Sequence, residues 1–158
     1  MSEDEAPVII ILGSPADRPW ADRITGALDR FGVRADVFTA SAHKTPEWLL
    51  TMLRTWEGRP PHVYITVAGR SNALSGFVDA QVMTPVIACP PASDAFAGLD
   101  ILSSLRMPRG VAPLVVLEPE NAALAAVKIL GLLSPDLQTR VAEAQEAERQ
   151  RVLESHER

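Results

Sequence analysis

Five short apolar runs, Val8–Leu12, Ala35–Thr39, 62–67, 85–89 and 112–117, recur along the chain with longer stretches of mixed polarity between them. The first, Val-Ile-Ile-Ile-Leu, shows no polar alternation, as expected of a central strand buried on both faces. Strands that alternate with helices predict a parallel sheet wrapped on both sides. Between the first two runs, Trp20, Ile24, Ala27, Leu28 and Phe31 repeat at three and four residues and Gly32 follows, which predicts a helix over 19–31. A second helix opens at Thr45-Pro46, with Thr45 as N-cap and Pro46 at the first helical position. It carries Leu49, Leu50, Met52, Leu53 and Trp56 as far as Gly58, and Pro60-Pro61 then stops it. Shorter helices are expected over 74–83 and over 99–105, the latter started by Gly98 or Asp100. Residues 120–133 are apolar on nearly every side, so one helix face is expected against the sheet and another against a second subunit. Beyond Ser134-Pro135 the chain turns charged, with sparse apolar positions such as Val141, Ala144, Val152 and Leu153. A solvated helix lying on the body or on a neighbour is expected there. The pattern as a whole predicts one doubly wound α/β domain over 1–135 with a helical extension of the same domain over 136–158.

Composition narrows the function classes. A chain of 158 residues with 47% hydrophobic and 22% charged residues makes one domain. It buries about two-thirds of its unfolded surface, so it needs no disulfide or structural metal to fold. The net charge is -5 and no basic run occurs, which argues against a nucleic-acid surface. A single cysteine, Cys89, excludes an internal disulfide, and no Cys/His cluster has zinc spacing. The start Met1-Ser2-Glu3-Asp4-Glu5 is acidic where a signal peptide is basic, and no apolar run approaches the ~20 residues needed to span a bilayer. A cytoplasmic, membrane-free location is expected. Neither G-x-x-x-x-G-K-[ST] nor G-x-G-x-x-G occurs, so ATP hydrolysis and dinucleotide redox chemistry lack their usual supports. No carboxylate or histidine grouping has metal-ligand spacing.

In an open parallel sheet, ligands bind outside the carboxyl ends of the strands, so the loops after the strands are the ones to read. After the first comes Gly13-Ser14-Pro15-Ala16-Asp17, a glycine turn with a hydroxyl at a helix start, which suits a phosphate or ribose and is also an ordinary helix cap. After the second comes Ser41-Ala42-His43-Lys44-Thr45-Pro46, with an imidazole, a cation and two hydroxyls within six residues. His43 is the acid/base candidate. After the third comes Ala68-Gly69-Arg70-Ser71-Asn72-Ala73-Leu74-Ser75-Gly76, whose small residues permit close backbone approach while Arg70, Ser71 and Asn72 supply donors for an anionic group. Cys89-Pro90-Pro91 makes a rigid wall after the fourth, and Ser103-Ser104-Leu105-Arg106-Met107-Pro108 follows one helix later. His62, His156 and Cys89 are assigned no function, the cysteine being a core thiol. The residues thus describe a small site for a phosphorylated metabolite, worked by one histidine.

As a set, these five collinear motifs, spread over about residues 8 to 133, resemble the aminoimidazole ribonucleotide carboxylase/mutase family of purine biosynthesis. The resemblance implies a flavodoxin-like three-layer α/β/α fold and a homo-octamer. The family has a mutase class, which moves a carboxyl group from the ring's exocyclic amine to a ring carbon, and a class II carboxylase, which takes carbon dioxide directly. The mutase class typically reads Ala-Gly-Gly-Ala-Ala-His-Leu-Pro-Gly where this chain has Arg70, Ser71 and Asn72 for Gly-Ala-Ala, Ala73 for the histidine and Ser75 for the proline. The departures match the carboxylase signature, and Lys44 agrees, since the mutase class usually has Arg there. Ala16 stands where a Ser is usual in both classes. Ligand affinity is therefore expected to rest more on Ser14, Asp17, Ser41 and Lys44.

The resemblance implies carboxylation of 5-aminoimidazole ribonucleotide to the 4-carboxy product without ATP, biotin or metal. It assigns the phosphate to Lys44, Ser41 and the Ser14 loop, the ribose to Asp17, and carbon dioxide to Arg70, Ser71 and Asn72. Proton transfer at the ring falls to His43, and Gly13, Ala42, Ala68 and Gly69 complete the substrate-binding set. The mutase reaction at the same site is the near alternative, and a non-catalytic phosphosugar-binding module is the distant one.

Overall fold

Each of the five apolar runs forms a strand, and all five pair in parallel in the order β2-β1-β3-β4-β5. The strands are β1 Val8–Leu12, β2 Ala35–Thr39, β3 Val63–Val67, β4 Val86–Ala88 and β5 Leu114–Val115. This is the flavodoxin-like order. The computed structural model describes residues 7–59 and 62–155. The acidic start at 1–5, the Pro60-Pro61 stop and His156 lie outside the described residues. Strands β4 and β5 are shorter than their apolar runs. Their ladders nevertheless run on, through Cys89 N–H to Thr66 O at 2.8 Å and Val116 N–H to Ala88 O at 3.0 Å.

The unbroken apolarity of β1 has a direct geometric cause. Successive side chains point to opposite faces, and both faces are covered. Val8, Ile10 and Leu12 pack with α1 (Arg18–Asp29) and α5 (Pro119–Gly131). Ile9 and Ile11 pack with α2 (Pro46–Trp56) and α3 (Ala73–Asp79). The α1 and α5 layer is fastened at its rim by a fork of Arg23 on Glu120, at 3.1 and 2.9 Å.

Several boundaries differ from the sequence expectation. A 3-10 turn, Pro15–Asp17, precedes α1, and α1 gives way at Asp29 to a turn that closes at Gly32, whose φ of +64° a Cβ would oppose. Thr45 holds the N-cap position of α2, but its hydroxyl accepts the Ser41 N–H instead of capping the helix. Helix α3 stops at Asp79, four residues before the expected end. Residues 99–105 are helical as expected, first as the end of a 3-10 stretch, Ala95–Ile101, and then as one turn, α4 Leu102–Leu105. Phe96, Ala97 and Gly98 have left-handed backbones that kink the chain just ahead of Leu99, and Ile101, not Gly98 or Asp100, holds the N-cap position of α4.

A second face of α5 packs against the chain's own α1 and α6 (Pro135–Glu154). Helix α6 starts at a Ser134 cap and buries Leu137 and Val141. Gln138 donates to Gly131 O at 2.8 Å and Arg140 to Phe31 O at 2.7 Å. Past Val141 its side chains are largely solvated. Among the described residues, no helix is long and apolar enough to cross a membrane.

Ile10 is fully buried at the middle of the central strand. Ile10→Ala is expected to lower unfolding free energy by about 2–5 kcal/mol in urea titrations, and a loss below ~1 kcal/mol would contradict this placement of the core.

Candidate active site

At the carboxyl edge, the crossover from β1 turns toward β2 and that from β3 turns toward β4, so the two connections diverge and open a crevice between them. Gly13 N–H donates to Val67 O at 2.9 Å, which starts the two loops side by side. A Cβ on Gly13 would stand 3.0 Å from the Ala68 Cβ, tighter than ordinary contact. Gly13 therefore supplies closeness, and its N–H is already committed to the sheet.

A cleft of about 460 Å³ occupies the crevice. From the first loop Gly13, Ser14, Ala16 and Asp17 line it, from the second Ser41, Ala42, His43 and Lys44, and from the third Ala68, Gly69, Arg70 and Ser71. Leu74 and the segment Pro91, Ala92 and Ser93 close the remaining sides. Eleven of the twelve residues expected at the site thus converge, with Asn72 the exception. Of the residues the sequence did not single out, Leu74 follows from its place on α3. Ala92 and Ser93 carry no local signal, since only Pro91 belongs to the expected wall.

Polar groups in the first two loops divide between building the turn and facing the cleft. Ser14 Oγ accepts the Ala16 N–H at 3.3 Å and keeps its own proton for a ligand. Thr45 Oγ1 accepts the Ser41 N–H at 2.9 Å, and Ser41 Oγ accepts the Lys44 N–H at 3.2 Å. This closed turn throws His43 and Lys44 outward at the rim, both exposed to solvent. Burial pushes the Asp17 carboxyl above its ordinary range, while the Ser14 backbone and the Arg70 charge pull it partly back.

The third loop carries the backbone anomaly of the site. Arg70 has φ +59°, a conformation that costs a residue with a Cβ roughly 1–2 kcal/mol. Its neighbour Asn72 is 4% exposed and lies outside the cleft lining. Asn72 Oδ1 accepts the Ser75 N–H and so caps α3, and Nδ2 donates to Ser104 Oγ at 2.9 Å. The donor expected to face an anion is thus spent on the protein itself. Asn directly before an apolar helix start is an N-cap pattern, and that signal was present in the sequence. Cys89 is fully buried, burial pushes its thiol up to about 11, and it lines no part of the cleft. Among the described residues no group of three or more His, Cys, Asp or Glu is placed to hold a metal ion.

Comparison with known proteins gives a consistent result. Residues 7–151 match the family described as AIR carboxylase. The chain is 50% identical over 149 residues to the phosphoribosylaminoimidazole carboxylase of Archaeoglobus fulgidus, covering 94% of this chain and 82% of that protein. It is 49% identical over 148 residues to the protein of the same name from Treponema denticola, covering 93% of each. The crystal structure of Treponema denticola PurE superposes with a TM-score of 0.91 at 49% identity, covering 93% of this chain and 94% of that one.

The raised Asp17 pKa means that the folded chain holds this proton more tightly than the unfolded chain. Stability therefore declines as pH rises from the unfolded value through the folded one. Asp17→Asn is expected to raise the Tm of the ligand-free protein at pH 7 and to lose that advantage at acid pH. Melting curves showing an equal gain at both pH values would contradict the assignment.

Proposed function

The chain belongs to the AIR carboxylase family and is a carboxylase of purine biosynthesis, and from that premise we propose that it joins carbon dioxide directly to aminoimidazole ribonucleotide in the cleft between β1 and β3. The observation that carries this reading is the convergence of His43 and Lys44 on one side of the cleft with Arg70 and Ser71 on the other. One side supplies a proton carrier beside a cation, and the other supplies donors for a carboxylate.

The substrate is an enamine. Its amino lone pair pushes density onto the adjacent ring carbon, which bonds to the carbon of carbon dioxide while one C=O pair moves onto oxygen. The carboxylated carbon then carries both the new group and its original proton. His43 removes that proton, and the released pair restores the aromatic ring. In this reading no ATP, biotin or metal is needed, and the protein contributes placement, charge stabilisation and proton handling.

Lys44, Ser41 and Ser14 hold the phosphate, and Asp17 accepts from the ribose hydroxyls. The small residues Gly13, Ala42, Ala68 and Gly69 let the ligand approach the backbone. Arg70 and Ser71 hold carbon dioxide and then the carboxylate. We assign Asn72 to holding their loop, because its side-chain groups are bonded to Ser75 and Ser104.

Homo-oligomeric assembly, as an octamer in the cytoplasm, is part of the same proposal. It is supported by large apolar side chains left in solvent, among them Met83 at 96% exposure, Phe96 at 83% and Leu132 at 77%.

Two measurements test this function. Purified protein with aminoimidazole ribonucleotide and bicarbonate, without ATP, is expected to form the ring-carboxylated product in proportion to dissolved carbon dioxide. Product formed solely from the N-carboxylated ribonucleotide would assign a mutase, and binding without product from either substrate would leave a binding module. His43→Asn is expected to lower kcat by about 10²–10⁴-fold with ribonucleotide binding retained, and unchanged turnover would remove His43 from the chemistry.

A further inference from the structure

We propose that Ser103 and Ser104 are positioning residues that latch the 70–72 loop from behind, fixing the direction in which Arg70 and Ser71 face the cleft. The proposal rests on the carboxylate-binding role assigned to Arg70. Three hydrogen bonds carry it. Asn72 N–H donates to Ser103 Oγ at 3.0 Å, Ser103 Oγ lies 2.9 Å from Arg70 O, and Asn72 Nδ2 donates to Ser104 Oγ at 2.9 Å. Both residues that flank Ser71 are thus pinned, and both by groups outside the cleft lining.

The latch has a reason to exist. Arg70 sits at φ +59°, where a residue with a Cβ stays only if its surroundings hold it there. The Ser103 hydroxyl has one proton and two carbonyls in reach, Arg70 O and Asp100 O, the latter at 2.8 Å. It therefore ties the loop to the start of α4 while its lone pair receives Asn72. Ser104 is 2% exposed and Asn72 is 4% exposed, so their bond is shielded from competing water. Neither serine lines this cleft, although Ser103 borders an adjoining pocket with Arg70 and Ser71, and both are positioning residues that act through the loop. Helix α4 is a single turn, and what that turn delivers to the loop is two adjacent hydroxyls.

A misaimed Arg70 would weaken stabilisation of the forming carboxylate and leave the phosphate and ribose contacts of the other loops intact. Ser103→Ala is therefore expected to lower kcat about tenfold while the KM for the ribonucleotide changes less than twofold, and Ser103→Thr to restore the rate. Ser104→Ala, which loses one bond, is expected to cost about threefold. On an Arg70→Ala background both alanine substitutions should have a smaller effect, since the latch acts mainly through Arg70 and only the part through Ser71 remains. Losses that multiply undiminished on that background, or a Ser103→Ala/Ser104→Ala double variant with wild-type kcat, would overturn the proposal.

Amide hydrogen exchange on the full-length protein supplies a readout independent of turnover. Protection at Asn72 is expected to fall in Ser103→Ala while Thr66 and Val67 in β3 stay protected, and unchanged protection at Asn72 would overturn the latch. If Ser103→Ala does not fold, Ser104→Ala and Ser103→Thr decide between the outcomes by the same rate and exchange measurements. Full activity in Arg70→Ala would instead remove the carboxylate-binding role of Arg70, and hydrogen exchange would still judge whether the serines hold the loop.

Discussion

The close approach of β1 and β3 at their carboxyl ends governs the whole site. One backbone hydrogen bond, Gly13 to Val67, joins the strands where their crossovers part, and the absence of a side chain at Gly13 lets Ala68 sit against it. The fold then supplies the rest. Because β1 is central and covered on both faces, its position is fixed by two apolar layers, and that rigidity passes to the loops that leave it.

Most polar groups near the cleft serve the backbone before they serve a ligand. Thr45 and Ser41 close the turn that projects His43, Ser14 caps the turn ahead of α1, and Asn72 caps α3. This division keeps flexible side chains out of the positioning role. Short hydroxyl and amide side chains fix the loops, while the longer Lys44 and Arg70 are left to reach toward charge. The chemistry at the cleft edge thus depends on turns that were settled by folding.

Strand positions were legible in the sequence because each strand is an apolar run with few alternatives. Val8–Leu12 and Ala35–Thr39 match their strands end to end. The site was legible for a topological reason, since three of its loops follow strands whose carboxyl ends could be placed without coordinates. Asn72 carries the N-cap pattern of a residue directly ahead of an apolar helix start, but its place among the donors of a loop motif pointed to a ligand instead. Its distinguishing partner, Ser104, lies 32 residues away. What had no sequence signature is the kink just ahead of the helix expected over 99–105, where Phe96 and Ala97 take left-handed backbones that such residues seldom adopt.

The left-handed backbone at Arg70 makes the loop a discrete device. For a residue with a Cβ, the allowed basins on either side of φ 0° are separated by sterically forbidden ground, so no continuous series of intermediate shapes connects them. As the restraints on the third loop weaken, Arg70 keeps this backbone or passes over a barrier into another, so its failure is a jump and not a gradual turn.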